Sequence, residues 1–476
     1  MGMHPNEYKG RGKMGKKYRP VVLSFLLMQP VAINAFASQG VQVNDMIVVA
    51  AASPISQDMP MGQGAGAQPS LLPEDTVGTE DLFGMQGGYF HPYISISEEY
   101  SDNLFNVNRD EKENWLTTIS PGLWVSLPRT KEVPITITPH NTAPGGLQLS
   151  LRDYEGFDRY HFYLLGGLDI KFYSEDSDLN DTNAKVEGLF QYNLRSGLTL
   201  QVVDRYTYGQ DRFDAGSATV NGIRRYNSNI FQGTADWDFS EKFRAKLDYT
   251  NFLLDYTDTQ DSFLDRTDNS GAAFAIYKYS PKTDFFVEYR LIDVSYDQEN
   301  ADLKDNTNHF VYAGINWDTT EKISLRLKAG YQKKNYANDR VNDINSNPDG
   351  FAFEGELDYQ FTVKTDVVLR LSHKIEETDS SVALNKKVFA AALFYNQQFS
   401  ERWKGVCYIG FENADYDQII AAERNEDRFV FRPGIEYFFR DWLMSELSYT
   451  YDTRNSTDEF FDYTTNRVML SLNFAL

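Results

Sequence analysis

Long runs of this chain alternate residue by residue between apolar and polar, the period of a β-strand with one face against an apolar medium and the other against water. Over residues 323–333, Ile323, Leu325, Leu327, Ala329 and Tyr331 share one face, and Ser324, Arg326, Lys328, Gly330 and Gln332 share the other. Val367, Leu369, Leu371 and Ile375 likewise oppose Arg370, Ser372, Lys374 and Glu376, and Phe285, Val287, Tyr289 and Leu291 oppose Glu288 and Arg290. The connections come in two alternating kinds. Short ones read Arg195-Ser196-Gly197, Ser240-Glu241-Lys242, Ser280-Pro281-Lys282, Thr319-Thr320-Glu321, Val363-Lys364-Thr365, Ser400-Glu401-Arg402 and Arg440-Asp441. Long ones, dense in Asp, Asn, Ser and Thr, cover 174–183, 258–268, 297–306, 338–350 and 452–462.

Strands are predicted near 89–100, 115–126, 160–173, 184–193, 197–208, 226–239, 243–256, 269–279, 283–296, 307–318, 322–336, 351–362, 366–376, 386–399, 402–415, 427–439, 442–453 and 464–476. About 9–11 residues of strand cross a bilayer. Short turns at one end and long loops at the other suit an outer-membrane barrel better than a soluble sandwich. The expected fold is therefore all-β: a transmembrane, antiparallel, up-and-down outer-membrane β-barrel of about 18 strands, within about 16–20. An even count puts both ends of the barrel on the short-turn, periplasmic side. Residues 127–158 leave a choice. Val133–Thr138 and Leu147–Arg152 would add a hairpin, but Pro128, Pro134, Pro139 and Pro144 argue against strands there.

Residues 1–37 read as a cleaved signal peptide. Lys9, Arg11, Lys13, Lys16, Lys17 and Arg19 precede the apolar run 21–28, and Ala35-Phe36-Ala37 gives a small–x–small cleavage pattern. Met14 is an alternative start to Met1. Residues 38–87, rich in Gly, Pro, Gln and Met and without either periodicity, read as a flexible periplasmic segment ahead of the barrel at 88–476, with a folded plug as the alternative. At the other end Val468, Leu470, Leu472, Phe474 and Leu476 occupy alternate positions. That pattern resembles the C-terminal signal read by the barrel-assembly machinery, except that Leu stands last where an aromatic is usual.

Composition narrows the chemistry. The 33 Phe, 30 Tyr and 6 Trp, 14% of 476 residues, suit strands with aromatic belts at both membrane interfaces. A net charge of −22 sets aside a nucleic-acid partner and points to solvated acidic loops. Cys407, the single cysteine, excludes an internal disulfide or a cysteine-based zinc site. No metal and no cofactor is expected, since acidic stretches such as 415–417 and 423–427 lack the register of a calcium loop. No enzyme is expected either. Ser372 and His373 are adjacent and so point to opposite faces, and His91 and Ser95 share a face but lie about 13 Å apart at strand rise.

A barrel of this size has room for an aqueous channel. Candidate lumen-facing charges are Arg205, Glu288, Arg290, Arg326, Lys328, Arg370, Lys374, Lys404, Glu412, Arg432 and Glu436. Facing rows of opposite sign would set up a transverse field; the alternative is that these groups brace the lumen. The loop 209–226, with Arg212, Arg224 and Arg225, is the candidate constriction.

The opening strand, Tyr93-Ile94-Ser95-Ile96-Ser97-Glu98-Glu99-Tyr100, runs into Ser101-Asp102-Asn103-Leu104-Phe105, and Ile119-Ser120-Pro121-Gly122-Leu123 follows in the next strand. This resembles the putative β-barrel porin 2 family, in which a strand ends in such a Ser-Asp-Asn motif and the next carries Pro-Gly-Leu. The resemblance covers about 89–476, with the specific motifs confined to its start. It implies a porin-like channel and, because members accompany exopolysaccharide or capsule genes, a role in exopolysaccharide export with polysaccharide-export partners. A general small-solute porin and a closed structural or assembly barrel remain as alternatives. Outer-membrane lipid, lipopolysaccharide and the barrel-assembly machinery are the other expected partners. A second Pro-Gly pair stands at Pro433-Gly434, and both pairs are expected to mark bulges.

Overall fold

A computed structural model describes residues 89–127, 159–210, 224–259, 261–297, 304–320, 322–337, 347–378, 380, 383–418 and 423–475. The expected signal peptide, the segment 38–87, the disputed runs within 128–158, Arg212 and Leu476 lie outside these. The described residues form β1 (Phe90–Ser101), β2 (Asn114–Leu127), β3 (Tyr160–Tyr173), β4 (Asp181–Asn193), β5 (Leu198–Gln210), β6 (Arg225–Asp238), β7 (Phe243–Tyr256), β8 (Arg266–Ser280), β9 (Thr283–Tyr296), β10 (Asn306–Thr320), β11 (Ile323–Tyr336), β12 (Asp349–Thr362), β13 (Thr365–Glu376), β14 (Ala383–Gln398), β15 (Trp403–Gln418), β16 (Arg424–Arg440), β17 (Leu443–Ser456) and β18 (Tyr463–Ala475). Each strand pairs antiparallel with its neighbours in sequence, and β18 returns to β1 from Tyr93↔Ala475 to Ser101↔Arg467. The sheet is an 18-stranded closed barrel, as the turn pattern predicts. Closure leaves no edge, which a sheet in lipid requires.

Alternation assigns the faces. On β9, Phe286, Glu288, Arg290, Ile292, Val294 and Tyr296 are buried, while Phe285, Val287, Tyr289 and Leu291 are exposed. Apolar side chains on the exposed face and charged ones on the buried face mean that the former meet lipid and the latter line the interior. Two aromatic girdles bound the lipid face. On the short-turn side stand Trp237, Phe239, Phe243, Tyr277, Tyr279, Phe285, Trp403, Tyr437, Phe439 and Trp442, many in ring contact. On the long-loop side a tyrosine hydroxyl repeatedly donates to a polar group on the next strand or loop: Tyr100 to Glu113 at 2.7 Å, Tyr206 to Asn227 at 2.7 Å, Tyr249 to Asn269 at 3.0 Å, Tyr449 to Asn466 at 2.6 Å, and Tyr331 to Asp349. Rings in the apolar layer with hydroxyls at its edge mark the interface.

The short turns are locally determined. Gly197 has φ +78°, and a Cβ there would lie 2.7 Å from the Asp238 carbonyl oxygen, so the turn requires glycine. Bulges sit at Lys278/Ser280, Asp318/Thr320, Gln360/Thr362 and Phe438/Arg440, each at the last ladder pair before a short turn. The two Pro-Gly pairs are not bulges, which corrects the expectation. Pairing of β2 with β3 passes from Ile119↔Ile170 to Gly122↔Gly167, and that of β16 with β17 from Phe431↔Tyr451 to Gly434↔Ser448, without a change of register. Proline removes a donor and so interrupts the ladder there, but no residue is inserted. Gly122 has its own reason: the Tyr93 ring lies where its Cβ would be, 2.1 Å from the ring's Cζ.

The lipid face gives a direct test. Val287→Arg, at an outward position inside the girdles, should destabilise the barrel in vesicles by about 2–4 kcal/mol in denaturant titration. A loss within about 0.5 kcal/mol, as for a water-exposed site, would contradict the assignment.

Candidate functional site

The inward face has two characters. Over β2–β7 it carries Trp124, Leu165, Leu189, Val203, Ile230, Phe252 and Leu254, all buried. Over β9–β18 it carries a lattice of alternating charge. Arg290 meets Glu288 at 2.8 Å, Glu288 meets Lys328 at 3.1 Å, Lys328 meets Glu354 at 3.2 Å, and Glu354 meets Lys374 at 3.1 Å. This relay steps from β9 to β13. It passes β10 where the Tyr312 ring lies under the Lys328 ammonium, 4.6 Å from its centroid. A parallel row joins Arg326 to Glu356 at 3.1 Å and Glu356 to Arg370 at 2.8 Å. Lys404 meets Glu436 and Arg432 meets Glu446, both at 3.3 Å, while Asp452 holds Arg428 at 2.7 Å and Arg467 at 3.5 Å. On the other arc Arg205 pairs with Glu187.

The eleven candidate charges thus all sit on the inward side, and ten of them pair with a neighbour on the same wall. From β11 to β13 the signs alternate strand by strand, so each of these charges has a counter-charge within about 3 Å. Glu412 differs: it is buried on β15 with Oε1 lacking a hydrogen-bond partner. Arg224 and Arg225, two of the constriction candidates, are each ion-paired. Arg224 is buried against Asp261 at 3.0 Å and stands over the Tyr256 ring, and Arg225 meets Asp181 at 3.1 Å.

Among the described residues a different segment reaches inward. β13 keeps pairing with β14 up to Glu376↔Lys386, but its pairing with β12 stops at Phe353↔His373. Above that point β13 leans toward β11. The Gln332 amide takes the place of a strand, accepting from Ile375 N–H at 2.8 Å and donating to Ile375 C=O at 2.7 Å. The residues that follow are anchored across the interior. Glu377 accepts from Lys334, from Asn306 at 3.0 Å and from the Tyr296 hydroxyl at 3.1 Å, and Lys304 donates to Ser380 C=O at 2.5 Å. Burial pushes the Glu377 carboxyl up, but Lys334 and Arg266 outweigh it and hold the group below its ordinary value.

Sequence reasoning missed Gln332, Lys334 and Glu377. Gln332 and Lys334 continue the polar parity of β11, so their direction was legible. Glu377 sits in an acidic run that reads as a solvated loop. His91 stacks on Trp124 at 4.0 Å, and His373 stacks on Phe353 at 6.0 Å on the lipid side.

A barrel with a charged inner face, an apolar outer face and an infolded segment is the architecture of an outer-membrane porin. The family model described as "Putative beta-barrel porin 2" matches residues 150–476, and the chain belongs to that family. The match starts beyond the Ser-Asp-Asn and Pro-Gly-Leu motifs, so the later strands carry the membership. Similar solved structures include Pseudomonas aeruginosa OccK5 (OpdH), at 12% identity and TM-score 0.41, covering 82% of this chain and 100% of that one. P. aeruginosa OpdK, solved with vanillate, is 10% identical with TM-score 0.43 and coverage of 81% and 99%. Acinetobacter baumannii OccAB3 is 10% identical with TM-score 0.40 and coverage of 81% and 99%. Comparison with curated proteins gives no match.

Two measurements check this site. Lys334→Met leaves Glu377 buried without its cation and should cost about 3–5 kcal/mol, most of it regained when Glu377→Gln is added. A single and a double variant of equal stability would contradict the pairing. Asp265, in the loop between β7 and β8, is pushed up to about 7 by burial, reinforced by Asp255, Asp297 and Asp261 against the Tyr256 N–H it accepts. The folded state therefore favours the protonated form. Its stabilising contribution is full below the free aspartate value, about 3.9, and is lost as pH rises through about 7. Asp265→Asn should flatten the fall in thermal stability between pH 5 and 8; an unchanged slope would contradict it.

Proposed function

We propose that this chain is an outer-membrane channel for small polar solutes, narrowed on the long-loop side by the inward end of β13 and the residues after it. The observation that carries the reading is the double anchoring of that segment, through Gln332 to Ile375 and through Lys334 to Glu377. The paired charges on β9–β18 are the proposed lining. Their alternation presents both signs at close spacing, so the wall itself repels neither. Selectivity would then come from the mouth, where the long loops carry exposed acid such as Asp258 and Asp297. Exopolysaccharide export was implied by the family resemblance alone, and no feature of the described lumen carries it. The outward row Val468, Leu470, Leu472 and Phe474 is the proposed contact for the barrel-assembly machinery, and the girdles are the proposed contact for lipid and lipopolysaccharide.

One observation favours a closed structural barrel as second reading: Glu288, Lys334, Arg266 and Asp268 are fully buried in the interior. Recording in planar bilayers separates the two. The channel reading expects an open level, a reversal potential displaced toward the cation in a KCl gradient, and a larger open conductance for Lys334→Ala with Glu377→Ala. Silence from the folded wild type and the double variant would favour the closed barrel. Anion selectivity would overturn the role given to the mouth.

A further inference from the structure

The seam between β12 and β13 is broken at the level of the outer girdle. Continued in register, Ala352 would face Lys374, Phe351 would face Ile375, and Gly350 would face Glu376, yet none of these ladder pairs forms. Both strands remain paired on their other edges at the same height, β12 with β11 to Lys333↔Asp349 and β13 with β14 to Glu376↔Lys386. This is therefore a split within the wall and not a fraying of strand ends. The split is also compensated, because the Gln332 side chain satisfies both backbone groups of Ile375. In lipid, backbone groups without partners are tolerated only where they line a cavity or are covered by protein. On the inner face beside the gap, where Gly350 shares the parity of Ala352 and Glu354, an added Cβ would meet nothing within 4 Å. Ile375 belongs by parity with the lipid-facing Leu369 and Leu371, yet it is only 6% exposed, since the strand carries it inward.

The two sides of the split differ in chemistry. Outside, Phe351, Phe353, His373 and Phe389 form a connected aromatic lip centred on Phe353, whose ring centroid lies 5.7 Å from that of Phe351, 6.0 Å from His373 and 6.4 Å from Phe389. Phe351 is the ladder partner of Tyr331, whose hydroxyl donates to Asp349, so the lip stands at the membrane edge. Inside lie the Gln332 amide and the Lys374–Glu354 pair. A ligand lying across the wall here would need a polar head for the interior and an apolar chain for the lip.

We propose that the upper β12–β13 seam is a lateral portal between the lumen and the outer leaflet, and that it takes the chain of a single-chain amphiphile between the aromatic lip and Ile375. This deepens the channel reading by naming a second substrate class, and it rests on the barrel spanning the bilayer. Its test needs no conductance, so failure of the small-solute reading would leave it standing.

Ile375→Cys, made together with Cys407→Ser, is reconstituted into vesicles and treated with N-dodecyl maleimide from the lipid or with a membrane-impermeant, charged methanethiosulfonate from the water. Leu371→Cys and Ser372→Cys calibrate the lipid-facing and lumen-facing sides of the intact part of the strand. The portal predicts that Cys at 375 reacts with both reagents, while each control reacts with one. Lauric acid added first should protect position 375 against both and leave the controls unchanged. Phe351→Cys, on the opposite lip, serves if the first variant does not assemble. Reaction at these positions from one side only, or no protection by lauric acid, would overturn the proposal.

Discussion

A polypeptide in hydrocarbon has no water to satisfy its backbone, so each N–H and C=O must find a partner within the protein. The rest of this molecule follows from that constraint. It dictates strands joined edge to edge, and it dictates closure, met here by β18 returning to β1 over nine consecutive ladder pairs. It also explains why two prolines inside strands interrupt pairing without shifting register, since a one-residue slip would turn every side chain beyond it to the wrong face. The upper β12–β13 seam is the informative departure. A glutamine amide on a third strand supplies there what the ladder does not.

The interior obeys a second rule, the cost of removing charge from water. Buried ionic groups persist when they are paired and hydrogen-bonded, and breaking one partner away is what costs most. On β9–β13 this produces a relay in which Glu288 and Glu354 are each shared between two cations. Such a lattice holds the wall rigid and cancels its own field. It therefore supports the inward segment mechanically, through Lys334 and Glu377, and leaves long-range electrostatics to the acidic loops at the mouth.

Much of this was legible in the chain. Period-two alternation in 323–333 and 367–376 identified both faces, and the contrast between short turns and long polar loops set the strand count and its parity. The inward direction of Arg326, Lys328, Arg370 and Lys374 followed from the same alternation. What alternation does not encode is contact across the interior. Lys334 and Glu377 are 43 positions apart and meet only because β13 leaves its neighbour. Ile375 breaks its own parity for the same reason. Nor does alternation encode the partners of the loop arginines: Arg224 meets Asp261 and Arg225 meets Asp181.

The account's central claim is that the wall has a built opening at the upper β12–β13 seam, compensated by the Gln332 amide. Amide hydrogen exchange on the barrel in lipid tests it most directly. The account predicts that Phe351 N–H, which the alternation of the antiparallel ladder turns toward β13, exchanges far faster than the Gly350 and Ala352 amides paired to β11 and than amides at the same height on the β8–β9 seam, where pairing continues to Arg266↔Tyr296. It also predicts that Ile375 N–H is protected until Gln332 is replaced by leucine. Uniform protection across both seams, insensitive to Gln332, would contradict it.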